Sequence, residues 1–498
     1  LFAKFGGKPV RIAREDMALE MLDKYDSVVM YEFDTRPVIC RCGNKVKVKI
    51  LHDQWFLKYS DPAWKQQVSD HLKDMALVPP EVRTEFDRTV GWLKDWACTR
   101  RVGLGTKFPW DPAQLIEPLS DSTVYMSYYT IAHKIREIDP KLLTPEVFDY
   151  IFLGKKSPDL PEKKKLDAMR EEFLYWYPYD FRFSAKDLIS NHLTFQIFHH
   201  VTIFPKDKLP KGMVVFGMGL LNGAKMSSSK GNVFLLEDAV SEFGADTVRM
   251  FLTGSAEPWQ DFDWRNELVL STKKQIERFY ATIMELKGAQ GEPQDIDRWL
   301  ISRLQEHIVK MTAALENFQT RQALQEASFG IETDLKWYRR RLPEGCDGSR
   351  ELATLCSAWT RLLAPFIPFT AEHLWTEMGN RDLISFAEWP VADKKLINTK
   401  IELSEELLAR TVEDIESIKK LIQITPKSLS IVLAPAWKHE VFRTIARSTD
   451  RNTVIKEIMK NDAMKKRGKE ATDAAKQCTT LIHRLPPHVV ESLAQEPI

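Results

Sequence analysis

Apolar residues recur along this chain at two spacings, and the change between them divides it. Near the start, Ala13 to Tyr25 repeats at helical spacing. Strand-like segments follow at Val28–Tyr31 and Lys45–Leu51, with Cys40-Arg41-Cys42-Gly43 at the turn between them. From about 60 to 270, short apolar strands alternate with helices, which predicts an α/β domain. Within it, Met213 to Leu221 is an apolar strand that stops at Asn222-Gly223, a two-residue hairpin signal. Leu235, Leu236, Ala239, Val240 and Phe243 then fall on one helical face, with Glu237 and Asp238 suited to its first turn. The charged stretch Lys155 to Glu172 reads as a helix inserted into this domain. From about 271 to 398 the chain is almost wholly helical in pattern, with long amphipathic stretches such as Arg298–Phe318, and predicts a helix bundle. Pro390 marks a boundary. Beyond it, helix mixes with a strand-like run at Leu429–Leu433, predicting a small α/β or α+β domain.

Composition narrows the class. The chain has 498 residues, too many for one core and enough for roughly three domains. Hydrophobic residues make up 44% and charged residues 28%, the balance of a soluble globular protein, and no apolar run reaches membrane-spanning length. With a net charge of +1, any grip on nucleic acid has to come from local basic faces. Six scattered cysteines fit a reducing compartment, and a cytoplasmic location is expected. The first residue is leucine and the opening segment reads as mid-domain, so a part of a larger enzyme is expected.

The candidate chemistry centres on Lys225-Met226-Ser227-Ser228-Ser229-Lys230-Gly231-Asn232, a loop between the apolar strand and the helix. Two ammonium groups, three hydroxyls and a glycine can fold over a polyphosphate, neutralising its charge. The same composition also suits a solvated linker, and other segments decide between the two. The loop resembles the KMSKS loop of class I aminoacyl-tRNA synthetases, although Ser228 stands where that motif has its second lysine and Lys230 lies two residues on.

Upstream, Phe183-Ser184-Ala185-Lys186-Asp187-Leu188-Ile189-Ser190-Asn191-His192-Leu193 places a carboxylate at a helix start. There it can accept from ribose hydroxyls or cap the helix. It resembles the Gly-x-Asp ribose motif of the same class, with Ala185 at the glycine position. Asp121-Ser122-Thr123-Val124-Tyr125-Met126-Ser127-Tyr128-Tyr129 joins a polar cluster to aromatics, either a pocket for an apolar amino acid or a capped helix with an aromatic stripe. It resembles a leucyl-type segment, as does Asp95-Trp96-Ala97-Cys98-Thr99-Arg100-Arg101, where Cys98 is read as a packing residue.

Cys40 and Cys42, with His52 as a possible third ligand, fall short of the four that zinc needs, so no metal site is expected. Asp297–Leu304 and Leu363–Trp375 resemble the helical anticodon-binding bundle of class Ia synthetases. Asp334-Leu335-Lys336-Trp337-Tyr338-Arg339-Arg340-Arg341 sets cations beside aromatics, fit either to stack on unpaired bases or to form a salt-bridged helix face. Lys456 to Lys476 carries seven basic residues and reads first as an exposed helix.

These segments run in class Ia order, and the chain resembles the leucyl family of archaeal and eukaryotic type. Tyr175–Asp180 and Trp259–Arg265 carry the same likeness. The resemblance implies the second half of a Rossmann-like catalytic domain, a helical anticodon-binding bundle and a C-terminal domain. The expected division is 1–60, 61–270, 271–398 and 399–498. It implies ATP-dependent activation of leucine and transfer to tRNA, with magnesium accompanying ATP. By the same resemblance, Lys225 and Lys230 are the catalytic candidates. Lys225, Met226, Ser227, Ser228, Ser229, Asp187 and His192 would bind ATP, and Asp121, Ser122 and Tyr125 the amino acid. Lys336, Trp337, Arg339, Arg340 and Arg341 would bind tRNA. The family's histidine-rich HIGH motif and its editing centre do not occur in the chain, so a separate or fused N-terminal half is an expected partner, and the chain alone is expected neither to activate leucine nor to edit. Other readings remain open at this point: a tRNA-binding module that no longer catalyses, a valyl, isoleucyl or methionyl enzyme, or a small-molecule nucleotidyltransferase of the superfamily.

Overall fold

The computed structural model describes residues 2–24, 38–40, 42–46, 53–226, 231–423, 426–431, 433–448, 454–484 and 487–495. It divides into two compact units, Leu1–Val215 with Ser227–Val233, and Phe216–Met226 with Phe234–Ile498. The expected block 61–270 therefore spans the division between them.

The first unit is built on a three-stranded sheet with Gly212–Phe216 at its centre. One neighbour is the parallel strand Ala76–Val78, in register Leu77↔Met213 and Val78↔Val214; the other is Arg182–Ala185. Met213, Val214 and Val215 are buried, as a parallel strand covered on both faces requires. The helices Pro62–Asp74, Val82–Trp92 and Thr194–Ile203 pack around one apolar cluster that includes Leu72, Phe86, Phe195, Phe198 and Met213. Local chemistry starts the first of these helices. Asp61 accepts from the amides of Ala63 and Trp64 at 2.9 and 3.0 Å, and Pro62 occupies the first turn, where no amide is missed. Val68 and Leu72, one turn apart, then face the core.

A second cluster forms where the helix Lys163–Trp176 buries Leu166, Met169 and Phe173 against Ile131, Ile151 and Tyr177. This helix was expected from Lys155. It begins at Lys163 because Pro158 and Pro161 are incompatible with a continuous helix before it.

The predicted opening helix is present as Val10–Lys24. The strand expected at Val28–Tyr31 lies outside the described residues, as does most of Lys45–Leu51. The cysteine turn is visible in part: Gly43 has φ 82°, its amide donates to Cys40 O at 2.9 Å, and Ile39 pairs with Lys45.

In the second unit the predicted hairpin is present. Gly219–Leu221 pairs antiparallel with Ala224–Lys225, and Asn222 and Gly223 hold φ of 51° and 78°. Positive φ at both central residues is what this tight turn demands, and Asn-Gly supplies it at little steric cost. Phe262–Trp264 runs parallel to the first hairpin strand, and the helices Leu236–Phe243 and Ala245–Gly254 close the cluster around Trp264.

The helices Asn266–Leu286, Asp295–Glu316, Ile331–Arg341, Leu352–Leu363 and Pro368–Glu377 form the expected bundle around one large core. At its centre the buried Trp359 donates its indole N–H to Ala327 O at 2.6 Å. Asp246 fastens the start of Pro368–Glu377, accepting from the amides of Phe369 and Thr370 at 3.2 and 2.6 Å and from the Thr370 hydroxyl at 2.7 Å. Among the described residues, 399–498 contains helices and no strand. The strand expected at Leu429–Leu433 is corrected accordingly: Leu429, Ile431 and Leu433 are exposed, with no neighbouring strand to pair with among the described residues. No helix among the described residues is long and apolar enough to cross a membrane.

Candidate active site

The strand Arg182–Ala185 leads through a short turn, Lys186–Leu188, into a π-turn, Ile189–Leu193, and then into the helix Thr194–Ile203. The widened turn is fastened by Thr194, whose hydroxyl donates to Ile189 O, five residues back, at 2.6 Å. Such a bulge re-aims the side chains around it. Asp187 stands in the first turn with an exposed side chain, and its carboxylate makes no capping bond to either turn. The capping alternative therefore does not account for it.

His192, by contrast, is buried in a polar network. Its Nε2 lies 2.8 Å from Ser122 Oγ, and its Nδ1 accepts from Arg182 Nη2 at 3.0 Å. Arg182 Nη2 also donates to the Tyr125 hydroxyl at 3.2 Å, while Nη1 bonds Gln196, which in turn bonds Tyr179. The guanidinium lies over the Tyr125 ring, 5.7 Å from its centroid. A guanidinium has no acceptor, so Nδ1 must be unprotonated, and the neutral ring carries its hydrogen on Nε2, toward Ser122. Ser122 passes the direction on by donating to Pro118 O at 2.7 Å. Burial, then the charge of Arg182, holds His192 below the ordinary imidazole range.

Two more histidines share the helix. His199 Nδ1 meets Thr123 Oγ1 at 2.5 Å and its Nε2 meets the Tyr59 hydroxyl at 3.1 Å. Thr123 donates to Ser120 O at 3.0 Å, so it accepts from the ring. His200 Nδ1 faces Gln196 O at 2.8 Å and its Nε2 faces the Tyr177 hydroxyl at 2.6 Å. A carbonyl only accepts, so Nδ1 carries the hydrogen and Tyr177 donates. Burial lowers His199 to about 4 and His200 to about 3, and raises Tyr59, Tyr177 and Tyr179.

Beside this network lies a cavity of about 620 Å³ lined by Tyr125, Tyr129, His133, Trp176, Tyr177 and Arg182, among others. Glu172 at its edge is held by Lys134 at 2.8 Å and by the Trp176 indole at 3.1 Å. The fold thus brings Ser122, Tyr125 and His192 together. Asp121 stands apart with an exposed side chain, accepting from Thr106 Oγ1 at 3.2 Å. Arg182, Gln196, His199, Tyr59, Tyr177 and Tyr179 were not among the expected site residues. A signal existed: His199 and His200 stand in a helix that also carries the apolar Phe195, Ile197 and Phe198, where a buried polar group needs a partner. Cys98 is buried and its thiol is raised by burial, as a packing residue should be.

In the second unit, Lys225 is the exposed end of the hairpin, while Met226 packs beside Trp264 and Phe234. The turn is anchored from below: Asp263 accepts from Gly223 N at 2.7 Å and from Arg265 Nε at 2.7 Å. Gly217 permits a neighbouring contact, since a Cβ there would stand 2.1 Å from Gln260 O. Ser227, Ser228, Ser229 and Lys230 lie outside the described residues.

The family description "tRNA synthetases class I (M)" matches residues 160–276, and "Anticodon-binding domain of tRNA ligase" matches residues 297–433. The chain is 46% identical over 486 residues to the leucine–tRNA ligase of Methanopyrus kandleri, covering 96% of this chain and 51% of that protein. It is 47% identical over 456 residues to that of Methanothermobacter thermautotrophicus, covering 89% and 48%. The chain belongs to the class I aminoacyl-tRNA synthetase family. It spans about half the length of the curated relatives it matches. Among solved structures, the methionyl-tRNA synthetase of Mycobacterium tuberculosis in complex with methionyl-adenylate aligns with TM-score 0.48 and 19% identity, over 64% of this chain and 62% of that one.

In the part matched to the anticodon-binding domain, the expected tRNA-binding cations divide. Lys336 and Arg340 are exposed, with Arg340 5.8 Å over the Trp337 ring. Trp337 is half-buried against the bundle core and donates to Glu405 at 2.9 Å. Arg341 pairs with the same Glu405, and Arg339 with Glu285 at 2.8 Å. Arg303 bonds Asp334 at 3.0 Å. Among the described residues no group of three His, Cys, Asp or Glu side chains could hold a metal, and His52 lies outside them. Cys40 and Cys42 are both exposed.

Proposed function

We propose that this chain carries part of a leucine–tRNA ligase, which activates leucine with ATP and transfers it to tRNA. One observation carries the reading: identity of 46% over 96% of the chain to an archaeal leucine–tRNA ligase. The buried network at Ser122, Tyr125 and His192 supports it, because through Arg182 it holds Tyr125 in the wall of an aromatic cavity. Residues 61–270 are the catalytic part, 271–398 the anticodon-binding bundle and 399–498 a further tRNA-contacting part.

Leucine sits against Tyr125 and its neighbours, with Ser122 at its polar end. The first step joins the leucine carboxylate to the α-phosphorus of ATP and releases pyrophosphate. In the second, a ribose hydroxyl at the tRNA terminus takes the leucyl group and AMP leaves. Neither step needs a covalent protein intermediate, so the protein acts by positioning and charge neutralisation. Lys225 and Lys230, with Met226, Ser227, Ser228 and Ser229, form the loop over the phosphates, and magnesium accompanies ATP. Asp187, exposed and uncommitted to a cap, holds the ATP ribose, with His192 in the turn that follows. Lys336 and Arg340, both exposed, offer their charges to tRNA. A complementary half supplies the rest of the enzyme, which works in the cytoplasm.

The test is leucine-dependent pyrophosphate exchange and leucylation of total tRNA, by this chain alone and mixed with the complementary half of an archaeal relative. Exchange with leucine in preference to isoleucine, valine or methionine in the mixture is expected. A mixture that binds tRNA but neither leucine nor ATP overturns the reading in favour of a tRNA-binding module.

A further inference from the structure

Arg182 lies at the one point where the tyrosine, the histidine and the glutamine of the network meet. Its Nη2 donates to both Tyr125 Oη, at 3.2 Å, and His192 Nδ1, at 3.0 Å, while Nη1 is spent on Gln196. Each of these bonds has a forced direction, because a guanidinium can only donate. We infer that Arg182 is a positioning residue that sets the hydrogen-bond polarity of the cavity wall: it turns the Tyr125 hydroxyl into a donor toward the bound amino acid and locks His192 as the neutral Nε2–H tautomer facing Ser122.

The two consequences follow separately. Tyr125 accepts from Arg182, so its own proton has to go elsewhere. Among the described residues no acceptor for it is found, and the side chain lines the cavity. A ligand oxygen there meets a donor already aimed, at no cost of reorientation. His192 receives a donor on Nδ1, so its hydrogen is confined to Nε2 and directed at Ser122 Oγ, which hands its own hydrogen to Pro118 O. Ser122 is then an acceptor toward the ring, with its orientation fixed by two partners. The groups facing His192 are Arg182 and Tyr125, the Ser122 hydroxyl, the Glu117 carboxylate and the neutral His199 ring. Of these, Arg182 is the cation in direct contact. The other member of the cluster, Gln196, is buried, accepts from the guanidinium and donates to the Tyr179 hydroxyl.

The inference rests on the leucine-ligase reading for the identity of the ligand, and not for the state of His192. The test uses the chain labelled with ¹⁵N-histidine, as wild type, Arg182→Met and Arg182→Lys. Ring ¹⁵N shifts report the tautomer and the titration of His192, and calorimetry with L-leucine, with and without the complementary half, reports binding. Wild type is expected to show His192 as the Nε2–H tautomer throughout the neutral range. Arg182→Met is expected to lose that single tautomer, to titrate at higher pH and to bind leucine about tenfold more weakly, the loss of one aimed hydrogen bond. Arg182→Lys keeps the charge but has no planar fork, and is expected to fall between the two. It also serves if Arg182→Met fails to fold. An unchanged His192 tautomer and titration in a folded variant overturns the inference. Wild type that shows the locked tautomer and binds no leucine under either condition overturns the ligand reading and leaves the lock standing.

Discussion

Arg341 and Glu405 are joined by two parallel bonds, Nε to Oε2 at 2.9 Å and Nη2 to Oε1 at 3.2 Å, and the Trp337 indole adds a third to Oε2 at 2.9 Å. The helix Ile331–Arg341 is thereby latched to the helix Thr399–Ile422 through one carboxylate whose side chain is 12% exposed. Arg341, read in the sequence as an RNA contact, has a structural partner. Glu405→Ala is expected to cost about 1–2 kcal/mol, kept low because the arginine is partly solvent-screened, and urea denaturation measures it. Filter binding of tRNA supplies the contrast: Lys336→Ala and Arg340→Ala should weaken it more than Arg341→Ala. The opposite order would make the latch secondary.

His307 is nearly sealed in the bundle with both ring nitrogens on carboxylates, Nδ1 to Glu326 at 3.1 Å and Nε2 to Asp334 at 2.9 Å. Arg303 holds the same Asp334 oxygen at 3.0 Å. Removing His307 takes a partner from both Glu326 and Asp334, of which Asp334 keeps Arg303. His307→Ala is expected to destabilise the bundle by about 3 kcal/mol. Adding Asp334→Asn should recover part of that loss, since the two sites are in contact and their effects do not add. Strict additivity in the double mutant would argue against a coupled network.

Acid should weaken the first unit before neutrality is far behind. His199 and His200 titrate at about 4 and about 3 when folded, against an ordinary 6.5 when unfolded. Between these values the unfolded chain binds more protons, so stability is full above about pH 6.5 and declines as pH falls. Each histidine contributes up to about 1.4 kcal/mol per pH unit across its window. Urea midpoints between pH 7 and pH 4.5 measure the slope, and His200→Gln, which cannot titrate, should flatten it. At the other end, raised Tyr59, Tyr177 and Tyr179 predict a second loss above about pH 10, where tyrosines of the unfolded chain ionise.

Lys225 stands on a hairpin whose turn is held by Asp263, so its charge is carried on a fixed support. If it neutralises the leaving pyrophosphate, Lys225→Ala should lower leucine-dependent exchange in the reconstituted enzyme by about 10²-fold with little change in the KM for leucine. Asp263→Ala, which frees the turn while keeping the lysine, should give a smaller loss. A purely KM effect of Lys225→Ala would move the lysine from transition-state stabilisation to ground-state binding.

Local signals in the sequence were enough for much of this. Asn222-Gly223 encodes its hairpin because few other residue pairs tolerate positive φ twice in a row. The bundle was legible from long apolar stripes such as Arg298–Phe318. Leu429–Leu433 misled because an apolar run alone makes no strand, and among the described residues it has no neighbour to pair with.

By itself, then, the sequence determined the kinds of elements, their order and the family, since these depend on periodicity, turn chemistry and motif succession. Which charges are spent and which are free was decided only by tertiary structure. Arg341 and Lys336 look alike in a linear string, yet one meets a carboxylate brought from 64 residues away. Likewise Arg182, His192 and Tyr125 meet only because a π-turn, a strand end and a separate helix converge. Hydrogen-bond direction is a property of such contacts, and no periodicity records it.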